Sequence, residues 1–396
     1  MKALVVAPQP FFTPRGTPLS VYYRTLVTAQ LGVDVDLLTY GQGYDVDIPG
    51  VRIIRIPKFA FLGSVKVGPS LLKLFLDALL TLWTIALALK HRYDFVHAHE
   101  EAVFWCWPLK PLFGFRLVYD MHSSLPQQLT NFRFTTSQAL IGVFGWLERV
   151  SLRKADAVIT ICPDLRDYAL AVGIERQRLL LIENSIFDEV RVNGGGQSRA
   201  DLVDVEGDDA VDRIIASGGP VVAYAGTFEP YQGLDLLLSA FVHVLKHRPD
   251  ARLLLIGGTP GQVREKRRLA ARFGIENACV LTGQVSKTRA KELTARANVL
   301  VSPRIEGTNT PLKIYEQLAS GKPLVATRIW SHTQVLNDEV CILVEPEPRA
   351  MADGLLKAIA EEARLPHVER ARALYELAYS RPAYEAKLRR LLEILP

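Results

Sequence analysis

The chain has 396 residues, of which 49% are hydrophobic and 22% charged, with a formal net charge of +5. That length predicts two domains, because single cores stop growing at about 250–300 residues. So small a basic excess, with no basic stripe interleaved with aromatics, excludes nucleic acid and leaves a phosphorylated substrate or an anionic membrane surface as partners.

The sequence opens on Met-Lys-Ala-Leu-Val-Val-Ala, which reads as a buried first strand and not as a secretory leader. Short apolar runs then alternate with helical patterns, as in parallel sheets with crossover helices. Strands are predicted at 3–7, 33–39, 51–56, 95–98, 117–121, 157–161 and 179–182, with helices at 19–30, 71–89 and 137–153. The segment 71–89 stands apart. It is rich in leucine, carries Lys73 and Asp77 near its start, and ends against Lys90, His91 and Arg92. It is borderline for a membrane span, which needs about 20 apolar residues, and a strand of the same domain follows it. A buried core helix and a helix lying on a membrane face both fit.

Residues 188–219 have the composition of a linker, with Gly194-Gly195-Gly196 and Gly218-Gly219-Pro220, and room for one short helix. A second α/β pattern follows. Its strands are predicted at 221–225, 252–256, 279–281, 299–301, 324–326 and 341–344, and its helices at 233–247, 260–273, 287–297, 311–319 and 349–364. The tail is helical and breaks near Arg381-Pro382. The expected fold is α/β: two Rossmann-like, doubly wound parallel-sheet domains facing a central cleft. The expected boundaries are 1–190 for the first domain, 191–219 for the linker and 220–381 for the second, with 382–396 packing back on the first. Cys106, Cys162, Cys279 and Cys341 form no C-x-x-C pair, so neither zinc nor redox chemistry is expected, and reduced thiols fit a cytoplasmic protein.

Four motifs lie at predicted strand ends. The first is Glu306-Gly-Thr-Asn-Thr-Pro-Leu-Lys-Ile-Tyr-Glu316, between a strand and a helix opening at Pro311. Thr308, Asn309 and Thr310 can cap that helix, whose free N–H groups suit a diphosphate. Lys313 adds a cation, and Glu316, three residues on, can face the same ligand and accept ribose hydroxyls. The plain alternative is an exposed Lys–Glu pair on a capped helix. The second motif is Gly226-Thr227-Phe-Glu-Pro-Tyr-Gln232-Gly233, where glycines permit close backbone approach. The third is Pro14-Arg15-Gly16-Thr17, and the fourth is Tyr119-Asp120-Met121-His122-Ser123-Ser124, with His97 and His99 on the preceding strand. The plain alternative is a simple turn for the third, and an ordinary surface or satisfied core histidine for the fourth. No H-x-x-x-H pair supports a metal among the histidines.

With these motifs in this order, the chain resembles, over essentially its whole length, the retaining glycosyltransferases of family 4, which have the GT-B fold. The resemblance implies a donor-ribose role for Glu316, a place near the transferred sugar for His122, and the family's N-terminal glycine loop at Gly16. Two departures stand out. The arginine and lysine that usually hold the diphosphate are replaced by Thr227 and Gln232, leaving Lys313 and Arg304 to supply the charge. The usual glutamate eight positions before Glu316 is Thr308, so Glu306 or the backbone of Asn309 and Thr310 takes that role.

The implied reaction transfers a sugar from a UDP- or GDP-sugar to a hydroxyl, with retention, no cofactor and no metal. Catalytic roles fall to His122, Glu306, Lys313 and Glu316. Donor contacts fall to Gly226, Thr227, Gln232, Arg304, Thr308, Asn309 and Thr310, together with Lys313 and Glu316. Acceptor contacts fall to Arg15, Gly16, Thr17, Ser123 and Ser124, continuing into residues 125–128. The acceptor is a sugar, a lipid or a lipid-linked glycan. The 71–89 helix and the aromatics Phe11, Phe12, Trp105 and Trp107 favour a lipid at the inner face of the membrane. A GT-B epimerase and a non-catalytic nucleotide-sugar or membrane-binding module are the rival readings.

Overall fold

A computed structural model describes residues 1–13, 16–58, 70–124, 137–184, 187, 190, 192–193, 208–360 and 366–395. The chain divides into two compact units, Met1–Gly195 with Arg381–Pro396, and Gly196–Ser380. Arg15, residues 125–128 and most of the segment read as a linker lie outside the described residues.

The first unit is built on seven parallel strands in the order β4-β2-β1-β5-β6-β7-β8. These are β1 Lys2–Ala7, β2 Asp34–Thr39, β4 Val51–Arg55, β5 Phe95–His99, β6 Arg116–Met121, β7 Ala157–Thr160 and β8 Leu179–Leu181. Two-residue strands β3 (Asp45–Val46) and β9 (Val192–Asn193) pair antiparallel beside it. The central strands β1, β5 and β6 are almost wholly buried because helices cover both faces of a parallel sheet. One face is covered by α1 (Thr17–Gln30), the other by α2 (Leu71–Lys90), α3 (Val103–Phe113), α4 (Gln138–Lys154) and α5 (Pro163–Ala171).

The helix α2 is capped by Ser70, whose hydroxyl accepts from the Lys73 amide at 3.2 Å. It buries only Leu76, Leu80 and Thr84, so it is not the fully enclosed core helix that its composition allows. The helices α3 and α5 have no counterpart among the predicted elements. In α3 the interior prolines Pro108 and Pro111 and a nearly all-apolar sequence hide the helical period.

The second unit has six parallel strands in the order β12-β11-β10-β13-β14-β15. They are β10 Val221–Ala225, β11 Arg252–Ile256, β12 Cys279–Gly283, β13 Val299–Ser302, β14 Leu324–Thr327 and β15 Ile342–Val344. Its helices are α6 Asp208–Ala216, α7 Leu234–His247, α8 Pro260–Arg272, α9 Lys287–Ala295, α10 Lys313–Ala319, α11 Trp330–Thr333, α12 Pro348–Ala360 and α13 Pro366–Ala378. Val211 and Ile214 of α6 belong to this unit's core, so the short helix in the glycine-rich stretch is part of the packed unit. The last helix, α14 (Arg381–Ile394), buries Tyr384, Leu388 and Leu391 in the core of the first unit.

Candidate functional site

In each unit the strand order reverses once, between β1 and β5 in the first and between β10 and β13 in the second. Loops leaving adjacent strands in opposite directions open a crevice there, the usual ligand position in such sheets.

In the second unit, Gly226 leaves β10 with φ +153°, and a Cβ on the neighbouring Gly257 would lie 2.0 Å from its carbonyl oxygen. Only bare backbone fits at that contact. Gly233 ends the same loop at φ +72°, where a Cβ would lie 1.9 Å from the Pro303 carbonyl oxygen. The Ile305 amide donates to the Tyr231 carbonyl at 2.9 Å, so the loops after β10 and β13 are docked backbone to backbone.

Lys313 sits over this junction. Its Nζ lies 4.1 Å from the centre of the Tyr224 ring and donates to Gln232 Oε1 at 3.2 Å. A Cβ on Gly226 would lie 3.6 Å from the same nitrogen. Tyr224 is itself held by a 2.6 Å hydrogen bond from its hydroxyl to the Thr227 carbonyl. Desolvation, and then the nearby Arg304, push the Lys313 ammonium down to about 7. Among the described residues no carboxylate pairs with it. Arg304 stacks over Tyr231 at 5.2 Å and donates to the carbonyls of Glu306 at 2.6 Å and Asn309 at 3.2 Å. It therefore shapes the 304–309 loop from within.

Thr227, Glu306, Thr308 and Asn309 are exposed, and Gln232 is buried. The Thr308 carbonyl accepts from Gln334 Nε2 at 2.5 Å, and Thr310 Oγ1 is buried without a hydrogen-bond partner among the described residues. Glu316 is exposed and pairs with Lys287 of α9 at 3.1 Å, so in this structure it and Lys313 address different partners. The expected side-chain cap from Thr308, Asn309 or Thr310 is absent. The helix begins at Lys313 after a tight turn in which Ile314 and Tyr315 donate to the Pro311 and Leu312 carbonyls. Pro311 has no N–H to be capped, and this turn satisfies the Ile314 and Tyr315 amides instead.

A buried support behind the loop escaped sequence reasoning. His332 contacts Ser302 Oγ at 3.0 Å and the Thr327 carbonyl at 2.8 Å, and the Thr327 hydroxyl donates to the Arg304 carbonyl. The available signal was a polar residue closing each of two apolar strands, Ser302 on β13 and Thr327 on β14.

In the first unit, the ends of β5 and β6 bring His97, His99, Asp120 and His122 into one buried cluster. Asp120 Oδ2 lies 3.0 Å from His97 Nε2, 3.3 Å from His99 Nδ1 and 3.1 Å from Arg24 Nη1, while Oδ1 lies 3.4 Å from His122 Nε2. His99 Nδ1 and His122 Nε2 are 3.1 Å apart. Burial alone would raise Asp120, but Arg24 foremost, then His122 and His99, hold its carboxyl far below the usual range. Burial pushes His122 down to about 4, against the pull of Asp120, so its imidazole is neutral at neutral pH. His122 Nδ1 and His99 Nε2 are buried and have no hydrogen-bond partner among the described residues. His97, His99 and Asp120 have the spacing of a metal site, but the Arg24 guanidinium already stands on the carboxylate as its counter-cation. Arg24 was not among the residues singled out. An arginine as the one charged residue within α1 was its signal.

The other first-unit residues divide. Gly16 starts α1 with φ +56° and is exposed, and Thr17 is half-buried beside it. Ser123 is half-buried, whereas Ser124 is buried and donates to Glu148 Oε1 at 3.0 Å, so its hydroxyl is spent inside the unit. Phe11 and Phe12 are fully buried core, which removes them as lipid contacts. Trp105 is half-buried and donates to the Thr84 hydroxyl at 3.3 Å, and Trp107 packs against the core.

The paired parallel sheets define a GT-B protein, and solved structures agree. Sucrose-phosphate synthase from Thermosynechococcus elongatus superposes with a TM-score of 0.70 at 20% identity, covering 100% of this chain and 98% of that one. HepE of Anabaena in complex with UDP gives 0.66 at 17% identity, covering 99% and 100%. Residues 23–185 match the family described as glycosyl transferase 4-like domain, and residues 219–361 match glycosyl transferases group 1. The chain belongs to the group 1 glycosyltransferases. A phosphatidyl-myo-inositol mannosyltransferase of Mycobacterium tuberculosis is 31% identical over 36% of this chain, and the match spans 39% of that relative's length. A D-inositol 3-phosphate glycosyltransferase of Xylanimonas cellulosilytica is 25% identical over 87% of this chain and 84% of its own length.

Proposed function

We propose that the chain is a retaining glycosyltransferase that carries a nucleoside-diphosphate sugar, UDP or GDP linked, on its second unit and delivers the sugar to a hydroxyl acceptor. One observation carries this reading: Lys313, with Arg304 near it, is a desolvated cation without an acid partner, set over the bare backbone of Gly226. A diphosphate supplies the missing negative charge. Glu316, exposed one turn further along, is free to exchange Lys287 for the ribose hydroxyls.

As the glycosidic bond breaks, negative charge grows on the leaving phosphate, and Lys313 with the backbone N–H groups of Thr308, Asn309 and Thr310 stabilises it. Retention without an enzymic nucleophile follows from attack on the same face, with the leaving phosphate taking the acceptor proton. His122, neutral and with Nδ1 free, supports the transferring sugar by a hydrogen bond. Gly16 and Thr17 at the start of α1, and Ser123 just after β6, take the acceptor contacts. The relatives' names include a mannosyltransferase of a phosphatidylinositol and transferases of an inositol phosphate. They support an acceptor of lipid, lipid-linked or polyol-phosphate type, met at the cytoplasmic face of a membrane.

The test is a thermal-shift panel of nucleoside diphosphates and their sugars on the wild type, Lys313→Met and Glu316→Ala. A ligand at 100 times its Kd adds about 2.7 kcal/mol. One nucleotide should raise Tm, and both variants should lose most of that shift. No shift with any nucleotide sinks the reading.

A further inference from the structure

We propose that the outward face of α2, continued by α3 and α4, seats on a bilayer carrying anionic headgroups, with α2 lying in the membrane plane. This deepens the membrane-acceptor reading above and rests on it for its purpose, while its own support is the surface of the first unit.

A solvated helix turns its polar side outward. Here the arrangement is inverted. Leu71, Leu74, Ala78, Leu82, Ala86 and Leu89 recur at steps of three and four and are all exposed, with Leu71 81% and Leu89 74% accessible. No charged residue interrupts that stripe before Lys90. The polar groups of the helix are instead turned inward or sideways. Thr84 is buried, Lys73 pairs with Glu101, and Asp77 accepts from the Tyr40 hydroxyl. The surface continues on the adjacent helices, with Leu112 of α3 74% exposed and Trp146 of α4 55% exposed. So extended an apolar surface marks an interaction site.

Charge selects the occupant. The helices α2, α3 and α4 run into the parallel strands β5, β6 and β7, so their C-terminal ends share one edge of the unit. Lys90 ends α2 and Arg92 follows it there, and Arg153 and Lys154 end α4 there. All four are exposed, and none has an acidic partner among the described residues. At this edge Leu89, Phe113 and Phe115 wall a crevice whose other lining includes Lys90, His91 and Arg92. Apolar walls with a cationic rim match acyl chains below a phosphate headgroup. A span is ruled out by connectivity, because α2 joins β4 to β5 and buries Leu76 and Leu80 against their sheet.

The test uses the full chain in sedimentation with vesicles of phosphatidylcholine, alone or mixed with phosphatidylglycerol. The wild type should pellet with the mixed vesicles and bind the neutral ones roughly tenfold less, a preference that high salt removes. Leu82→Glu, at an exposed position that leaves the core intact, should lower partition roughly tenfold on both. The double variant Lys90→Glu and Arg92→Glu should erase only the anionic preference. A wild type that stays in the supernatant overturns the proposal, as does Leu82→Glu that binds like wild type. So does a wild-type dimer that ignores vesicles and that Leu82→Glu makes monomeric, which would assign the face to a second copy. A nucleotide thermal shift on the same samples separates this outcome from failure of the transferase reading, since neither depends on the other.

Discussion

At the scale of single residues, Lys313 makes the sharpest claim. Its ammonium titrates near 7 in the free protein because burial and Arg304 disfavour the charge. A bound diphosphate favours that charge, so binding takes up a proton. Below pH 7 the cation is already formed and affinity is flat. Above it, affinity falls by up to about tenfold per unit until the pKa of the complex is reached. Calorimetry in two buffers of different ionisation enthalpy reads the proton uptake directly. Uptake of no proton at pH 8, with Kd constant from pH 6 to 9, would remove Lys313 from the phosphate. Lys313→Met should abolish the pH dependence together with most of the affinity.

Asp120 and Arg24 form a pair in which both side chains are almost wholly buried. Removing one partner of such a pair costs about 3–5 kcal/mol, because the other charge stays buried alone. Asp120→Asn should therefore destabilise the first unit by that amount in urea unfolding. The Asp120→Leu, Arg24→Met double variant should recover a large part of it. A loss below about 1 kcal/mol in the single variant would show that the pair does not hold the cluster. The depressed carboxyl also sets an acid limit. Its contribution is complete above the unfolded value of about 3.9 and is lost as pH falls towards the folded one. The sequence made the strand-end histidines and Lys313 visible through their positions after apolar runs. It could not show that Lys313 turns back onto Tyr224 while Glu316 reaches Lys287, because helical spacing fixes where side chains start and not where they end.

At the scale of elements, the two loops of the second unit are held together by an approach that only glycine permits. In Gly233→Ala, a Cβ 1.9 Å from the Pro303 carbonyl forces the loops after β10 and β13 apart, and the φ of +72° adds about 1–2 kcal/mol of backbone strain. The expected result is a lower Tm and a nucleotide-induced shift reduced out of proportion to that loss. An unchanged nucleotide shift would mean that the loop junction does not shape the donor site. Strands such as β10 and β11 were readable to the residue because each carries a short apolar run, 221–225 and 253–256, closed by a glycine. The helices were readable where an apolar stripe alternates with charge, as in α7 and α12. They were not readable in α3, whose prolines and uniform apolarity erase the period, or at the start of α10, where a tight turn replaces a side-chain cap.

At the scale of the whole molecule, the chain's end completes the unit that contains its beginning. The helix α14 buries Leu388 and Leu391, and Leu395 follows them into the same core. Its Lys387 pairs with Glu183 at 2.5 Å, Arg381 donates to Gln30 at 3.0 Å, and the Tyr384 ring lies 6.0 Å from the Arg24 guanidinium that neutralises Asp120. The tail thus reaches the His122 cluster through Arg24. Three leucines at about 1.5–3 kcal/mol each, with Tyr384 besides, approach the 5–15 kcal/mol that holds a whole domain folded. Deleting residues 381–396 should therefore leave the first unit open to proteolysis, with cleavage inside residues 1–195. The second unit buries none of these side chains, so it should keep its protease resistance and its nucleotide-induced thermal shift. A truncated chain that melts in one transition at the wild-type Tm would show that α14 is an appendage and that the first unit is complete without it.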